Sequence, residues 1–152
     1  MYHWIVKQKV RRGFRQLSAG DSEAVLRQFA ADAVFSFSGR HSLSGAQRGP
    51  APVRLWFERL YRLFPGISFE VLDVLSTGWP WNTVAATHFS VHVRLRDGRP
   101  YQNQGMQYLR LRWGKVVEDR LYEDTQKLAA ELQHLARQGV GEALYPPVAS
   151  AH

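Results

Sequence analysis

Gly114-Lys115-Val116-Val117-Glu118-Asp119-Arg120-Leu121-Tyr122-Glu123-Asp124 sets the frame for reading this chain. From Val116 to Asp124 side chains alternate between two faces, as in a β-strand, with Asp119, Leu121 and Glu123 on one of them. Outward toward the N-terminus, Trp113-Gly114-Lys115 makes a turn and Arg99 to Trp113 reads as a long strand that needs a bend or bulge. Asp97-Gly98 has the signature of a two-residue hairpin loop, and Trp81 to Arg96 and Ile67 to Thr77 supply two more strands. Outward toward the C-terminus, Leu128, Leu132 and Leu135 recur at helical spacing between Thr125 and Gln138 and stop at Gly139.

The N-terminal third reads differently. Val6, Val10, Phe14 and Leu17 mark one face of a first helix, and Ser22 to Phe29 a second, short one. Ala33 to Ser38 alternates as a strand, a Gly/Ser-rich loop runs from Gly39 to Pro50, and Val53, Trp56, Phe57, Leu60 and Phe64 define a third helix. Pro65-Gly66 ends it. The expected class is α+β: helices and one strand, then four antiparallel strands and a closing helix. One domain over residues 1–139 is expected, with 140–152 as a loosely ordered tail.

With 152 residues, 45% of them apolar, the chain can bury one core. It has no cysteine, which excludes disulfides and thiolate chemistry. No segment reads as a secretory signal or a bilayer span, so a cytoplasmic protein without a membrane partner is expected. The net charge of +7 invites a nucleic-acid reading, but the arginines are scattered rather than striped, which disfavours it.

The element order resembles the SnoaL-like branch of the nuclear transport factor 2-like superfamily. Phe29-Ala30-Ala31-Asp32-Ala33-Val34 before the first strand and the 114–124 strand carry that resemblance. It implies a cone in which a curved sheet wraps around helices and leaves one pocket. It also implies a small apolar ring compound as ligand and a homodimer formed through the convex sheet face. The two-residue loop sets Arg96 opposite Arg99, and hence His88 opposite Gln107, His92 opposite Asn103 and Ser90 opposite Gly105. By the pattern of the family it resembles, this face is the concave one, so the pocket is lined by Phe35, Phe37, Trp56, Ser90, Tyr101, Asn103, Gln107, Leu109 and Leu121, and Phe89, Val91, Val93 and Leu95 form an apolar stripe outside.

Two chemistries of the family do not fit the residues. The positions resembling the ketosteroid isomerase base, tyrosine and aspartate hold Phe37, Gly13 and Gln107. Those resembling the limonene epoxide hydrolase triad hold His88, Ser90 and Leu121, with Phe35 and Phe37 where its water is held. The remaining catalytic candidate is His88 as general acid/base, oriented by Asp119, Glu123 or Asp124, in an isomerase, lyase or cyclase type of proton transfer. The competing reading is a non-catalytic ligand-binding or interaction module whose hollow is filled by its own side chains. His88 and His92 are too far apart along a strand to share a metal ion, and no metal or cofactor is expected.

Overall fold

The computed structural model describes residues 1–149. Helix α1 (Tyr2–Ser18) and α2 (Ser22–Leu26) precede β1 (Phe29–Phe37) and β2 (Gly45–Arg48). Helix α3 (Pro50–Leu63) leads into β3 (Ser68–Trp79), β4 (Asn82–Arg94), β5 (Pro100–Arg112) and β6 (Lys115–Glu123), and α4 (Thr125–Arg137) follows. The strands form one curved sheet in the order β2-β1-β6-β5-β4-β3. Among the described residues only β1 and β6 run parallel. This is the α+β architecture expected from the sequence, with β2 added.

Strand β2 lay inside the expected 39–50 loop because it carries no apolar alternation. Gly45, Ala46 and Arg48 are exposed, and only Gln47 turns inward. Residues 140–149 form a short 3₁₀ turn (Gly141–Leu144) and pack on the domain. Gln47 Nε2 donates to Val148 O at 3.1 Å and Arg59 to Pro146 O at 2.7 Å. The end of the expected tail, 150–152, lies outside the described residues.

The sheet bends where its registers slip. Pairing of β3 with β4 shifts between Val71 and Asp73, and pairing of β5 with β6 shifts between Arg110 and Leu111. An extra residue on one strand bends it and increases local twist. Inside the resulting hollow lie Val6, Val10 and Phe14 of α1, Trp56, Phe57 and Leu60 of α3, and Leu128, Leu132 and Leu135 of α4, all buried. Each set is the apolar stripe that its helical spacing marks.

The β4–β5 hairpin corrects one expected register. The last strand pair is Arg94 with Pro100, so His88 faces Met106, not Gln107, and His92 faces Gln102. Gly98 N donates to Leu95 O at 2.9 Å and Leu95 N to Arg99 O at 2.8 Å, which leaves Arg96, Asp97 and Gly98 as a three-residue loop. Gly98 has φ +87°, the left-handed residue that closes a type I turn with a bulge. One extra loop residue exchanges the two faces of β4 relative to β5. Phe89, Val91, Val93 and Leu95 therefore point into the core rather than outward, and the outer apolar stripe on which the dimer expectation rested is absent.

Candidate active site

The hollow contains a cavity of about 630 Å³ between α1, α2, α3 and the sheet. Its wall is largely aromatic and aliphatic. Phe35 lies against Trp56 at 4.7 Å between ring centroids, and Phe37 against Trp56 at 5.7 Å. Trp56 is fixed by its own indole, whose Nε1 donates to Leu43 O at 2.7 Å. Tyr101 stacks on Phe64, and Leu109 and Leu121 complete the sheet side.

Three polar groups break this wall. Asp119 and Glu123 point inward from β6, and Gln107 from β5. Leu109 is opposite Asp119, Gln107 opposite Leu121 and Gly105 opposite Glu123, so Gln107 sits between the two acids along the sheet. The acids are four residues apart on one strand, about 13 Å by strand rise, and do not share a proton. Gln107 Nε2 donates to Asp119 Oδ1 at 3.1 Å, whereas Gln107 Oε1 is buried without a partner. Buried polar atoms are normally satisfied, so this acceptor is open to a donor from the cavity or from a protonated Asp119.

Electrostatics follow from burial. Asp119 is 5% exposed and meets no cation, and loss of hydration raises its pKa to about 7, with the Gln107 bond pulling the other way. Glu123 is only partly buried, and loss of hydration raises it also to about 7. A Cβ at position 105 would stand 2.8 Å from Glu123 Cγ and 2.7 Å from the Phe89 ring, so glycine there lets both side chains close over the strand. Arg110 and Arg120, the nearest basic residues on these strands, are both taken up by Glu118.

Of the residues expected at the pocket, Phe35, Phe37, Trp56, Tyr101, Gln107, Leu109, Asp119, Leu121 and Glu123 line the cavity. His88 does not. Its Nε2 meets Gln104 Oε1 at 3.1 Å on the outer face of the sheet, beyond reach of Asp119 or Glu123. Ser90 shares that face and bonds His92 Nε2 at 2.9 Å. Asn103 faces inward, but its amide is held by Tyr101 and by Asp124 O and serves to join β5 to the start of α4. His41 bonds Ser38 O and Leu43 N with its two ring nitrogens and so ties its own loop.

A SnoaL-like domain model matches residues 10–119, most of the chain. The chain belongs to the SnoaL-like domain family. Solved structures agree on the fold. PrhC of Penicillium brasilianum is 17% identical with a TM-score of 0.74, over 88% of this chain and 89% of that one. A nuclear transport factor 2-like protein of unknown function from Burkholderia pseudomallei is also 17% identical with a TM-score of 0.68, over 82% and 94%. IdmH of Streptomyces antibioticus, provisionally assigned as a polyketide cyclase, is 20% identical with a TM-score of 0.65, over 88% and 98%. No curated protein matches this SnoaL-like chain in sequence.

Among the wall residues that sequence reasoning missed are Val10, Gly13 and Phe14 of α1, Phe89 and Val91 on the exchanged face of β4, and Phe57, Leu60 and Phe64 at α3 and its end. The helical stripe of α1 was visible as an apolar face. Its role as one side of a cavity was not, because periodicity reports burial and not what is buried against it. Among the described residues no cluster of His, Asp or Glu is arranged to hold a metal ion.

Proposed function

We propose that this SnoaL-like protein is a cofactor-independent proton-transfer enzyme of the isomerase, lyase or cyclase type, acting on a small, mostly apolar ring compound. Asp119 is its general acid/base. The observation that carries the reading is a cation-free carboxylate, buried in the wall of an open aromatic cavity and poised near neutral pH. A carboxyl with a pKa near 7 is half ionised at working pH, the condition under which one group both accepts and returns a proton efficiently.

In this mechanism the ring of the substrate lies against Phe35, Phe37 and Trp56, and an acidic C–H or O–H is presented to Asp119. Gln107 holds one Asp119 oxygen and leaves the other free to take the proton. The unpartnered Gln107 Oε1 accepts a hydroxyl donor from the same ligand, which fixes its orientation. Glu123, four residues further along the strand, supports a second proton transfer at the far side of a ring-sized molecule. IdmH, with the same fold, carries a provisional cyclase assignment, which is compatible with this chemistry. The module reading, with a hollow filled by its own side chains, is disfavoured by the cavity volume.

The test does not require the natural substrate. Deuterium exchange next to the carbonyl of a panel of aryl and cyclic ketones, 2-tetralone among them, is followed by NMR with the wild type, Asp119→Asn and His88→Ala proteins. Enhanced exchange with the wild type and His88→Ala, lost in Asp119→Asn, is the expected pattern. Exchange that survives Asp119→Asn, or that disappears in His88→Ala, overturns the assignment.

A further inference from the structure

Of the five tryptophans, only Trp56 belongs to the interior. Trp79, at the end of β3, and Trp81, in the turn before β4, stack with centroids 5.9 Å apart and planes at 8°. Trp113, in the turn between β5 and β6, lies 6.2 Å from Trp81. Its backbone N donates to Pro80 O at 2.7 Å, which ties the two turns into one tip. The three side chains nevertheless remain 65%, 53% and 73% exposed. Trp113 also occupies the left-handed region at φ 50°, costly for a bulky residue whose ring stays in water. Folding alone gives no reason for large indoles at this place.

The start of α1 joins the same tip. Tyr2 Oη bonds Thr83 Oγ1 beside the Trp81 turn, His3 bonds Ser76 at 2.7 Å, and Trp4 and Ile5 are left exposed. The segments that build this end, 1–12, 74–85 and 108–117, contain no Asp or Glu, and the neighbouring Glu118 is taken up by Arg110 and Arg120. Arg112 and Lys115 flank Trp113, and Lys9 reaches the turn by donating to Gly114 O. Burial, and to a lesser degree the nearby Lys115, lowers the Lys9 pKa. Ile5, Gln8 and Lys9 also line the cavity, so its wall reaches the tip.

Amphipathic indoles beside clustered basic residues match the boundary layer of an acidic bilayer, where the ring sits among headgroups and the charges meet anionic lipid. A single-stranded nucleic acid would need free ring faces, and the mutual stacking of Trp79 and Trp81 blocks one face of each. We propose that this end of the molecule docks on an anionic lipid surface through Trp79, Trp81 and Trp113 with Arg112 and Lys115. Docking there brings this side of the cavity to the bilayer, the phase in which an apolar ligand concentrates. The surface does not include Asp119, so its test is separate from that of the proposed activity.

The full chain is mixed with sedimentable vesicles of phosphatidylcholine alone or of equimolar phosphatidylcholine and phosphatidylglycerol, at low and high salt, and indole emission is recorded. Expected are co-sedimentation with the anionic vesicles only, a blue shift of emission on binding, and weakening by salt. The triple variant Trp79→Ser/Trp81→Ser/Trp113→Asn should bind about tenfold more weakly or worse, with unchanged circular dichroism. Arg112→Gln and Lys115→Gln should each weaken binding about fivefold at low salt, and Asp119→Asn should have no effect. No binding to anionic vesicles, binding that the triple variant keeps, or no vesicle binding with tight capture of an oligonucleotide would each overturn the proposal. A self-association that the same substitutions abolish, without vesicle binding, would assign the tip to a second copy and overturn it too.

Discussion

Asp119 and His88 belong to the same sheet, two strands apart, and both are acid/base groups of the kind that enzymes use. Asp119 lies under the cavity wall with one amide partner, and burial moves it to about 7. His88 stands on the outer face beside Gln104. A group becomes chemically useful by the face it occupies more than by its intrinsic pKa: here burial brings the carboxylate to about 7 where a ligand can meet it, and the imidazole stands on the other face. The strongest way to break this contrast is kinetic. Asp119→Asn should reduce catalysed exchange by about 10²–10⁴-fold, the usual contribution of a positioned acid/base, while His88→Ala changes it little.

Stability sharpens the same contrast at somewhat smaller size. The Asp119 carboxyl has a folded pKa of about 7 against an ordinary value of 3.8, so the native state holds a proton that the unfolded chain has released. Native stability contributed by this proton is fully present below about pH 4 and is lost as pH rises through 7. Glu123 acts in the same direction. In Asp119→Asn that loss disappears, and the variant should be more stable than wild type at pH 8 by on the order of 2–4 kcal/mol, with little difference at pH 4. Denaturant titrations at the two pH values check both sign and window. A gain in stability together with a loss of exchange would separate a functional carboxylate from a structural one.

Much of the molecule was legible before any coordinates. Helical stripes at Val53, Trp56 and Leu60 and at Leu128, Leu132 and Leu135 placed α3 and α4, and alternation placed β3 to β6 near their observed bounds. The inward set on β5 and β6 followed from alternation within each strand together with the family's pattern, and so Gln107, Asp119 and Glu123 came out on the cavity side. What failed was transfer from β5 to β4, because Asp97-Gly98 reads equally as the middle of a two-residue turn and as the end of a three-residue one. The side chain that decides is Leu95: it is 6% exposed, and burying it moves the first loop residue to Arg96. Asp97 then anchors the loop by accepting from Arg99 N at 3.0 Å, from Arg99 Nε at 2.8 Å and from Gln138 at 3.1 Å. In a strand that carries His88, Ser90 and His92 on one face and Phe89, Val91 and Val93 on the other, the apolar set had the stronger claim on the interior. Gly98→Ala tests the loop geometry, since a left-handed alanine should cost about 1 kcal/mol, a fall of roughly 2–4 °C in Tm.

The smallest expected effect isolates the outer face. His88 bonds only the Gln104 side chain, in a partly exposed position, and an exposed hydrogen bond of this kind contributes about a few tenths of a kcal/mol at most. His88→Gln keeps a hydrogen-bonding side chain of similar reach, so its unfolding midpoint should fall within about 0.5 kcal/mol of wild type. A larger loss would mean that the β4 face carrying His88, Ser90 and His92 is covered in solution, by a second copy or by another partner. Concentration dependence of that loss decides between the two: a homodimer loses stability on dilution, whereas an isolated chain does not. The substitution therefore probes the outer sheet face without touching the cavity, and the separation of the two faces by β-strand alternation is what lets one variant report on one of them.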